Sequence, residues 1–330
     1  MRGGGGGGGR VALALACAAG CRAAPVPEAQ RFPAGTEFTA RYLNVGGARI
    51  RYIDAGTGTP VIFLHGLGAS MYAWRKNLGP VRAAGFRVIA FDNLGFGFSD
   101  KPASGYDNAA YTRLLAGLID SLRLADAVLV GHSMGGAIAA EEAIEFPQRV
   151  RGLVLIGSAG LGVREPLLFR VAGWPVVGPL MLAFRSRGFT EGILRSTYAD
   201  PEKVTPADVD QYYAPVAEPD YGHALRAVLR EFRFDGLADG LDRIAAPTLV
   251  LWGEHDRWVP INLGRLMASQ IPRSAFLTVQ NAGHAVPEEA PDETNRLLIE
   301  FLEHGLPRVP ENLGIRLSGV YVSSTIWLMK

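Results

Sequence analysis

The stretch Val128-Leu129-Val130-Gly131-His132-Ser133-Met134-Gly135-Gly136 carries an apolar β-branched run into a small-residue helix pattern, Ala137-Ile138-Ala139-Ala140. A Gly-x-Ser-x-Gly motif at such a junction predicts a sharp, strained turn between strand and helix that lifts the Ser133 hydroxyl off the sheet edge. Side chains two residues to either side would collide in that turn. Gly131 and Gly135 fit there because they have no Cβ. The turn would also set the helix N-terminus, with its free N–H groups and positive dipole end, beneath an oxygen gaining negative charge. Ser133 is therefore the candidate nucleophile.

Working outward, short buried strand patterns alternate with helical ones. Arg49 to Asp54 reads as a strand, turned at Gly56-Thr57-Gly58, and Val61 to Leu64 as a buried strand ending in His65-Gly66. A helical stretch from Met71 to Ala84, a strand from Arg87 to Phe91, a Gly-rich loop and a helix from Tyr111 to Leu122 lead back to the turn at Ser133. The helix from Met134 to Glu145 and the strand from Leu153 to Ile156 follow. This spacing predicts an α/β fold with a mostly parallel twisted sheet flanked by helices. Over residues 160–243 the alternation stops, and helical segments rich in Pro and aromatic residues take over, among them Trp174, Tyr212 and Tyr213. The alternation returns with Thr248 to Trp252, Asn262 to Gln270, Ala275 to Val279 and Pro291 to Glu303. The core is thus expected at 41–159 and 244–305, with 160–243 as a helical cap over the strand ends. Trp174 and Tyr213 are its candidate substrate contacts.

A serine hydroxyl is a weak nucleophile at neutral pH and needs a base within hydrogen-bond reach, oriented in turn by an acid. His284, in Asn281-Ala282-Gly283-His284, follows the last predicted strand, where a loop can carry it over the sheet edge. Asp256 closes Gly253-Glu254-His255-Asp256 just after the preceding strand, with Glu254 as the alternative acid. The chain order Ser133, Asp256, His284 is one that serine hydrolases use. Stabilising a tetrahedral oxyanion takes two backbone N–H donors. Met134, next to the nucleophile, and Leu67, in the loop after His65-Gly66, are the candidates. His65 is expected to act mainly as a structural hydrogen-bonder beside the substrate.

Composition narrows the classes. The chain has 330 residues, 48% of them hydrophobic, so a sizeable core can form. Thirty-three basic and 32 acidic residues give a net charge of +1, with no basic stripe interleaved with aromatics, so nucleic-acid binding has no support. The two cysteines, Cys17 and Cys21, both lie near the N-terminus, leaving the folded body without a disulfide, a Cys-based metal site or a Cys nucleophile. No dinucleotide fingerprint, Walker loop or HExxH motif is present, and neither a metal nor an organic cofactor is expected.

Residues 1–21 read as a leader: Arg2 and Arg10 bracket a Gly tract, and Val11 to Ala19 is an apolar run too short to span a bilayer. Ala18-Ala19-Gly20-Cys21 resembles a lipoprotein lipobox, with Ala18 where Leu is usual, while Ala16-Cys17-Ala18 offers an ordinary cleavage site. The expected location is the cell envelope, with membrane association only through a lipidated Cys21. The alternative is a start-site extension on a cytoplasmic protein. Residues 22–40 read as a linker and 306–330 as an extension of unassigned role.

Gly131-His132-Ser133-Met134-Gly135-Gly136, His65-Gly66-Leu67-Gly68-Ala69-Ser70, Phe91 to Pro102, Gly253-Glu254-His255-Asp256 and Gly283-His284 together resemble the α/β-hydrolase superfamily. Within it the chain resembles the capped branch that holds carboxylesterases, meta-cleavage-product C–C hydrolases, epoxide hydrolases and haloalkane dehalogenases. The resemblance implies a Ser133–His284–Asp256 triad and a cap between the sixth and seventh strands of the family sheet. It implies a loop-bracing rather than catalytic role for Asp92. Epoxide hydrolases and haloalkane dehalogenases use an Asp nucleophile, so Ser133 disfavours both activities. The leading expectation is ester hydrolysis of a small to medium apolar substrate through an acyl-enzyme. The alternatives are C–C bond hydrolysis of vinylogous diketones by the same triad and, from another class, a non-catalytic ligand-binding protein on the same fold.

Overall fold

A computed structural model describes residues 26–162, 174, 185–237 and 239–306. The expectations for the leader and the C-terminal extension lie outside these residues, as does much of the first half of the expected cap. Among these residues eight strands form one sheet: β1 (Ala40–Val45), β2 (Ala48–Ala55), β3 (Pro60–Leu64), β4 (Arg87–Phe91), β5 (Ala127–His132), β6 (Val150–Ile156), β7 (Thr248–Gly253) and β8 (Ser274–Val279). Their spatial order is β1-β2-β4-β3-β5-β6-β7-β8. β2 pairs antiparallel with β1 and β4, and all other pairs are parallel. β5 and β7 are buried along their whole length, as parallel strands covered on both faces must be.

The described helices are α1 (Leu78–Ala83), α2 (Asn108–Ser121), α3 (Met134–Glu145), α4 (Arg187–Ser196), α5 (Pro206–Val216), α6 (Tyr221–Glu231), α7 (Ile261–Gln270), α8 (Val286–Glu289) and α9 (Pro291–His304). One apolar cluster packs α2, α3 and part of α7 on one sheet face, with Leu129, Leu153 and Leu155 pointing into it. A second packs α1 and α9 on the other, through Leu78, Val81, Leu298 and Phe301. Local chemistry sets the ends: the Asp107 side chain accepts from Ala110 N at 2.7 Å to start α2, and Thr205 with Asp208 forms a capping box ahead of Pro206 to start α5. Between β6 and β7 the described residues form the helices α4, α5 and α6 and no strand.

Two expectations differ from the structure. The helix read over 71–84 is a 3-10 turn at Met71–Trp74 followed by the short α1, because Asp92 Oδ1 holds Met71 N at 2.8 Å and Asn77 is drawn to Asn295 Oδ1 at 2.8 Å. Residues 26–40, read as linker, pack onto the body. Phe32 and Phe38 are buried, Phe32 N donates to Gln211 Oε1 at 3.0 Å, and Arg31 pairs with Glu218 at 3.2 Å. Composition rich in Ala and Pro hid two aromatic anchors.

The topology places the site. From β3 the chain steps to β4 on one side and then returns to β5 on the other. The carboxyl ends of β3 and β5 therefore flank the switch point, where open α/β sheets bind ligands. Leu67 follows the first of these ends and Ser133 the second.

Candidate active site

At the turn between β5 and α3, Ser133 has φ 54° and ψ −119°. A non-glycine residue held there stores backbone strain that only a well-packed surround sustains. The surround is visible in the glycines. A Cβ on Gly131 would lie 2.4 Å from Gly135 O, and one on Gly135 would lie 2.3 Å from Leu64 O. The close crossing of α3 over β3 and β5 thus requires both. Ser133 O accepts from Ala159 N at 3.0 Å and from Gly136 N at 3.0 Å, fixing the turn from both sides.

Asp256 and His284 meet across loops that follow β7 and β8. His284 Nδ1–H donates to Asp256 Oδ2 at 2.8 Å, with both side chains buried. The other carboxylate oxygen, Oδ1, accepts from Trp258 N and Val259 N at 2.8 Å each, so the acid cannot turn away. Glu254, the alternative acid, points elsewhere: its half-exposed carboxylate accepts from Asn281 N at 3.2 Å. Gly157 leaves room for the pair, since a Cβ there would sit 3.2 Å from His284 Nδ1 and 3.3 Å from Asp256 Oδ2.

His132 is more than a locally packed residue. Its Nε2–H donates to His284 O at 2.9 Å, bracing the backbone of the candidate base. Burial, reinforced by the neighbouring His284, pulls the His132 imidazole down to about 3, so it stays neutral and keeps one N–H to donate. His65 is buried too, and burial lowers its pKa. Its Nδ1–H donates to Gly66 O at 2.8 Å and its Nε2 accepts from Asn93 N at 2.9 Å. It braces the loop that carries Leu67 and does not face the cavity. Asp92 does the same from beneath, accepting from Met71 N at 2.8 Å and Phe98 N at 2.9 Å.

Met134 opens α3, so its N–H is one of the first four that lack an intrahelical acceptor. A Cβ on Gly66 would lie 3.0 Å from Ser133 Cβ, which shows how closely the Leu67 loop approaches Ser133. Leu67, Ser133, His132 and His284 share the wall of a cavity of about 170 Å³. Much of the rest of the wall comes from the segment between β6 and β7, including Phe189, Ile193 and Leu194 of α4, Tyr212 and Val216 of α5, and Tyr221 and Leu225 of α6. Arg185, Glu288 and Trp258 also line it.

Trp174 and Tyr213 are not where a substrate contact would be. Trp174 is 55% exposed, and Tyr213 is buried in the apolar cluster behind the wall. The helix that carries Tyr213 turns its neighbour Tyr212 toward the cavity instead. No local pattern indicates which of two adjacent tyrosines faces inward. Trp258, two residues after Asp256, carries no sequence signal that marks it as part of the site. Its ring stacks on His284 with centroids 6.0 Å apart and planes 14° from parallel. Among the described residues, no group of three or more His, Cys, Asp or Glu side chains is disposed to hold a metal ion.

This arrangement of sheet, elbow and buried Asp–His pair has counterparts. A family model described as the alpha/beta hydrolase fold matches residues 59–291. The chain is 33% identical over 278 residues to a 2-hydroxy-6-oxo-6-phenylhexa-2,4-dienoate hydrolase from Comamonas testosteroni, an alignment covering 77% of this chain and 91% of that one. Among solved structures, a meta-cleavage product hydrolase from Pseudomonas fluorescens is 28% identical, with a TM-score of 0.71, and the match covers 81% of this chain and 98% of that one. A membrane phospholipase A described as a bacterial virulence factor is also 28% identical, with a TM-score of 0.69 and coverages of 81% and 86%. The protein belongs to the α/β-hydrolase family and is a hydrolase. The Comamonas testosteroni relative is named as a hydrolase of a 2-hydroxy-6-oxo dienoate, and the Pseudomonas fluorescens structure as a meta-cleavage product hydrolase, which favours the C–C-cleaving alternative over the ester-cleaving expectation.

Proposed function

We propose that the protein hydrolyses a C–C bond beside a ketone in a conjugated, carboxylate-bearing substrate, using Ser133, His284 and Asp256. The observation that carries this reading is the similarity to a dienoate hydrolase over nine-tenths of that relative's length. The cavity agrees with it chemically. Its wall is mostly apolar, suiting a diene and an aryl or alkyl group, and Arg185, whose Nε and Nη2 donate to Val216 O and Glu218 O, brings a positive charge to one side of it.

Ser133 Oγ adds to the ketone carbon while His284 Nε2 takes the hydroxyl proton, and Asp256 holds the imidazolium in place. The N–H groups of Leu67 and Met134 receive the tetrahedral oxyanion. Collapse breaks the C–C bond. The departing carbon carries the electron pair; once the 2-hydroxydiene has ketonised, with its enol proton moved to that carbon, the resulting 2-oxo-enoate delocalises the pair, and His284 returns the proton it took from Ser133. Water, deprotonated by His284, then opens the acyl-enzyme and releases a carboxylic acid. With an ester the same steps expel an alkoxide, which needs no conjugated sink.

The test pairs 2-hydroxy-6-oxo-6-phenylhexa-2,4-dienoate with p-nitrophenyl esters of increasing chain length. The expected result is a higher kcat/KM on the dienoate, lost by about a millionfold in Ser133→Ala. Turnover of the esters alone would move the assignment to an esterase, the direction in which the phospholipase similarity points. Failure of a fluorophosphonate to label Ser133 would leave a binding protein.

A further inference from the structure

The loop that carries His284 is tied to the end of α4 and the residues after it. Ala285 N donates to Thr197 O at 3.0 Å. Glu289, in α8 just beyond His284, accepts from Ala199 N at 3.0 Å, from Asp200 N at 2.8 Å and from Gly283 N at 2.6 Å. A Cβ on Gly283 would lie 2.6 Å from Ala199 N, so the two segments touch backbone to backbone. Trp258 completes the tie from the acid's side. Its backbone N–H holds Asp256 Oδ1 at 2.8 Å, its indole N–H donates to Ser196 O at 3.0 Å, and its ring lies over the His284 imidazole. The ring spacing of 6.0 Å is within the range of attractive offset stacks.

We infer that Trp258 is a positioning residue that makes the alignment of His284 depend on the seating of α4 against the core. The inference rests on the hydrolase reading above. His284 has Asp256 on one nitrogen and must present the other to Ser133. Asp256 fixes the ring's hinge point but leaves rotation about the Nδ1···Oδ2 line, which the stacked indole restricts. The indole is anchored in turn to the last turn of α4. When α4 seats on the core, the imidazole plane is set; when α4 lifts, the Ser196 bond breaks and the plane is released. Substrate closed in under α4 thereby meets an aligned base, and an open cavity holds a poorly aligned one. A Trp that merely formed cavity wall would alter how well a ligand binds and leave the reactivity of Ser133 alone.

Labelling by a small alkyl fluorophosphonate separates these roles, because the maximal labelling rate reports the activation of Ser133 and the half-saturating concentration reports binding. Trp258→Leu removes the stack and the tie. It should lower the maximal rate by about ten- to a hundredfold, the scale of a misplaced catalytic group, with the half-saturating concentration little changed. Trp258→Phe restores a ring without the indole N–H and should recover part of that loss. Thermal melts establish that each variant is folded. If Trp258→Leu does not fold, a Trp258→Phe rate below wild type carries the inference and an equal rate overturns it. A wild-type maximal rate in Trp258→Leu, with only weaker binding, overturns it as well. An unlabelled wild-type protein overturns the hydrolase reading and this inference together.

Discussion

At the scale of single residues, the site is made by side chains whose neighbours leave them one orientation. Asp256 has both carboxylate oxygens engaged, by His284 on one side and by two backbone N–H groups on the other. Glu254, two positions away, is half-exposed and bound to the start of the next loop. Asp256→Asn should therefore lose on the order of ten-thousandfold in kcat, because the amide favours the wrong imidazole tautomer. Glu254→Gln should change kcat little. Steady-state kinetics of the two variants on one substrate check this; a larger loss in Glu254→Gln would reassign the acid. His65 and His132 show the same discrimination in reverse. Both are buried imidazoles whose pKa burial lowers, and both spend their N–H groups on backbone carbonyls that hold the site's loops.

At the scale of the element, α3 bears a conflict between its two faces. Its first turn needs small residues to cross β3 and β5, and its later turns bury Glu142 with neither carboxylate oxygen bonded within the described residues. Burial raises the Glu142 carboxyl from 4.5 to about 8, with Asp120 adding to the rise and Arg149 opposing it. The unfolded chain sheds this proton near 4.5 while the folded chain keeps it to about 8, so the Glu142 contribution to stability falls as pH rises through that window. His132 works in the opposite sense, losing stability as pH falls from 6.5 toward about 3. Because His132 is common to both proteins, comparison with Glu142→Gln isolates the carboxyl. The variant should melt higher than wild type at pH 8 and approach it near pH 4.5. Parallel melting curves across that range would show that Glu142 ionises like an exposed carboxylate.

At the scale of the molecule, the cavity lies between the strand ends and α4, α5 and α6, so its shape depends on how two separately coded layers dock. Ile193 lines that cavity, whereas Trp174 is 55% exposed. Ile193→Trp should fill part of the space and shift the ratio of kcat/KM between large and small distal groups by about ten- to two-hundredfold. Trp174→Ala should leave that ratio unchanged. A substrate series differing only in the size of the distal group measures both. A flat response to Ile193→Trp would mean that the reacting substrate does not reach α4.

What the sequence by itself determined is what short spans of chain decide. The elbow is one such span: a Cβ on Gly131 would meet Gly135 O within the same five residues, and Ser133 takes the positive φ between them, although the bar to a Cβ at Gly135 comes from Leu64 on β3. Strand periodicity likewise located the six described strands that pair in parallel, because burial on both faces demands unbroken apolar runs. Ser133, Asp256 and His284 each follow a strand whose carboxyl end lies at one edge of the sheet, where Asp256 and His284 are hydrogen-bonded and His284 and Ser133 share the cavity wall. Only the tertiary structure paired His284 with Asp256 rather than with Glu254, turned Tyr212 rather than Tyr213 toward the cavity, and seated residues 26–40 on the body through Phe32 and Phe38. It alone laid Trp258 across His284 and tied it to Ser196. Those outcomes depend on the rotation of a helix about its axis and on contacts between segments tens to hundreds of residues apart. No local pattern encodes either, because the free energy that selects them exists only once the layers have packed.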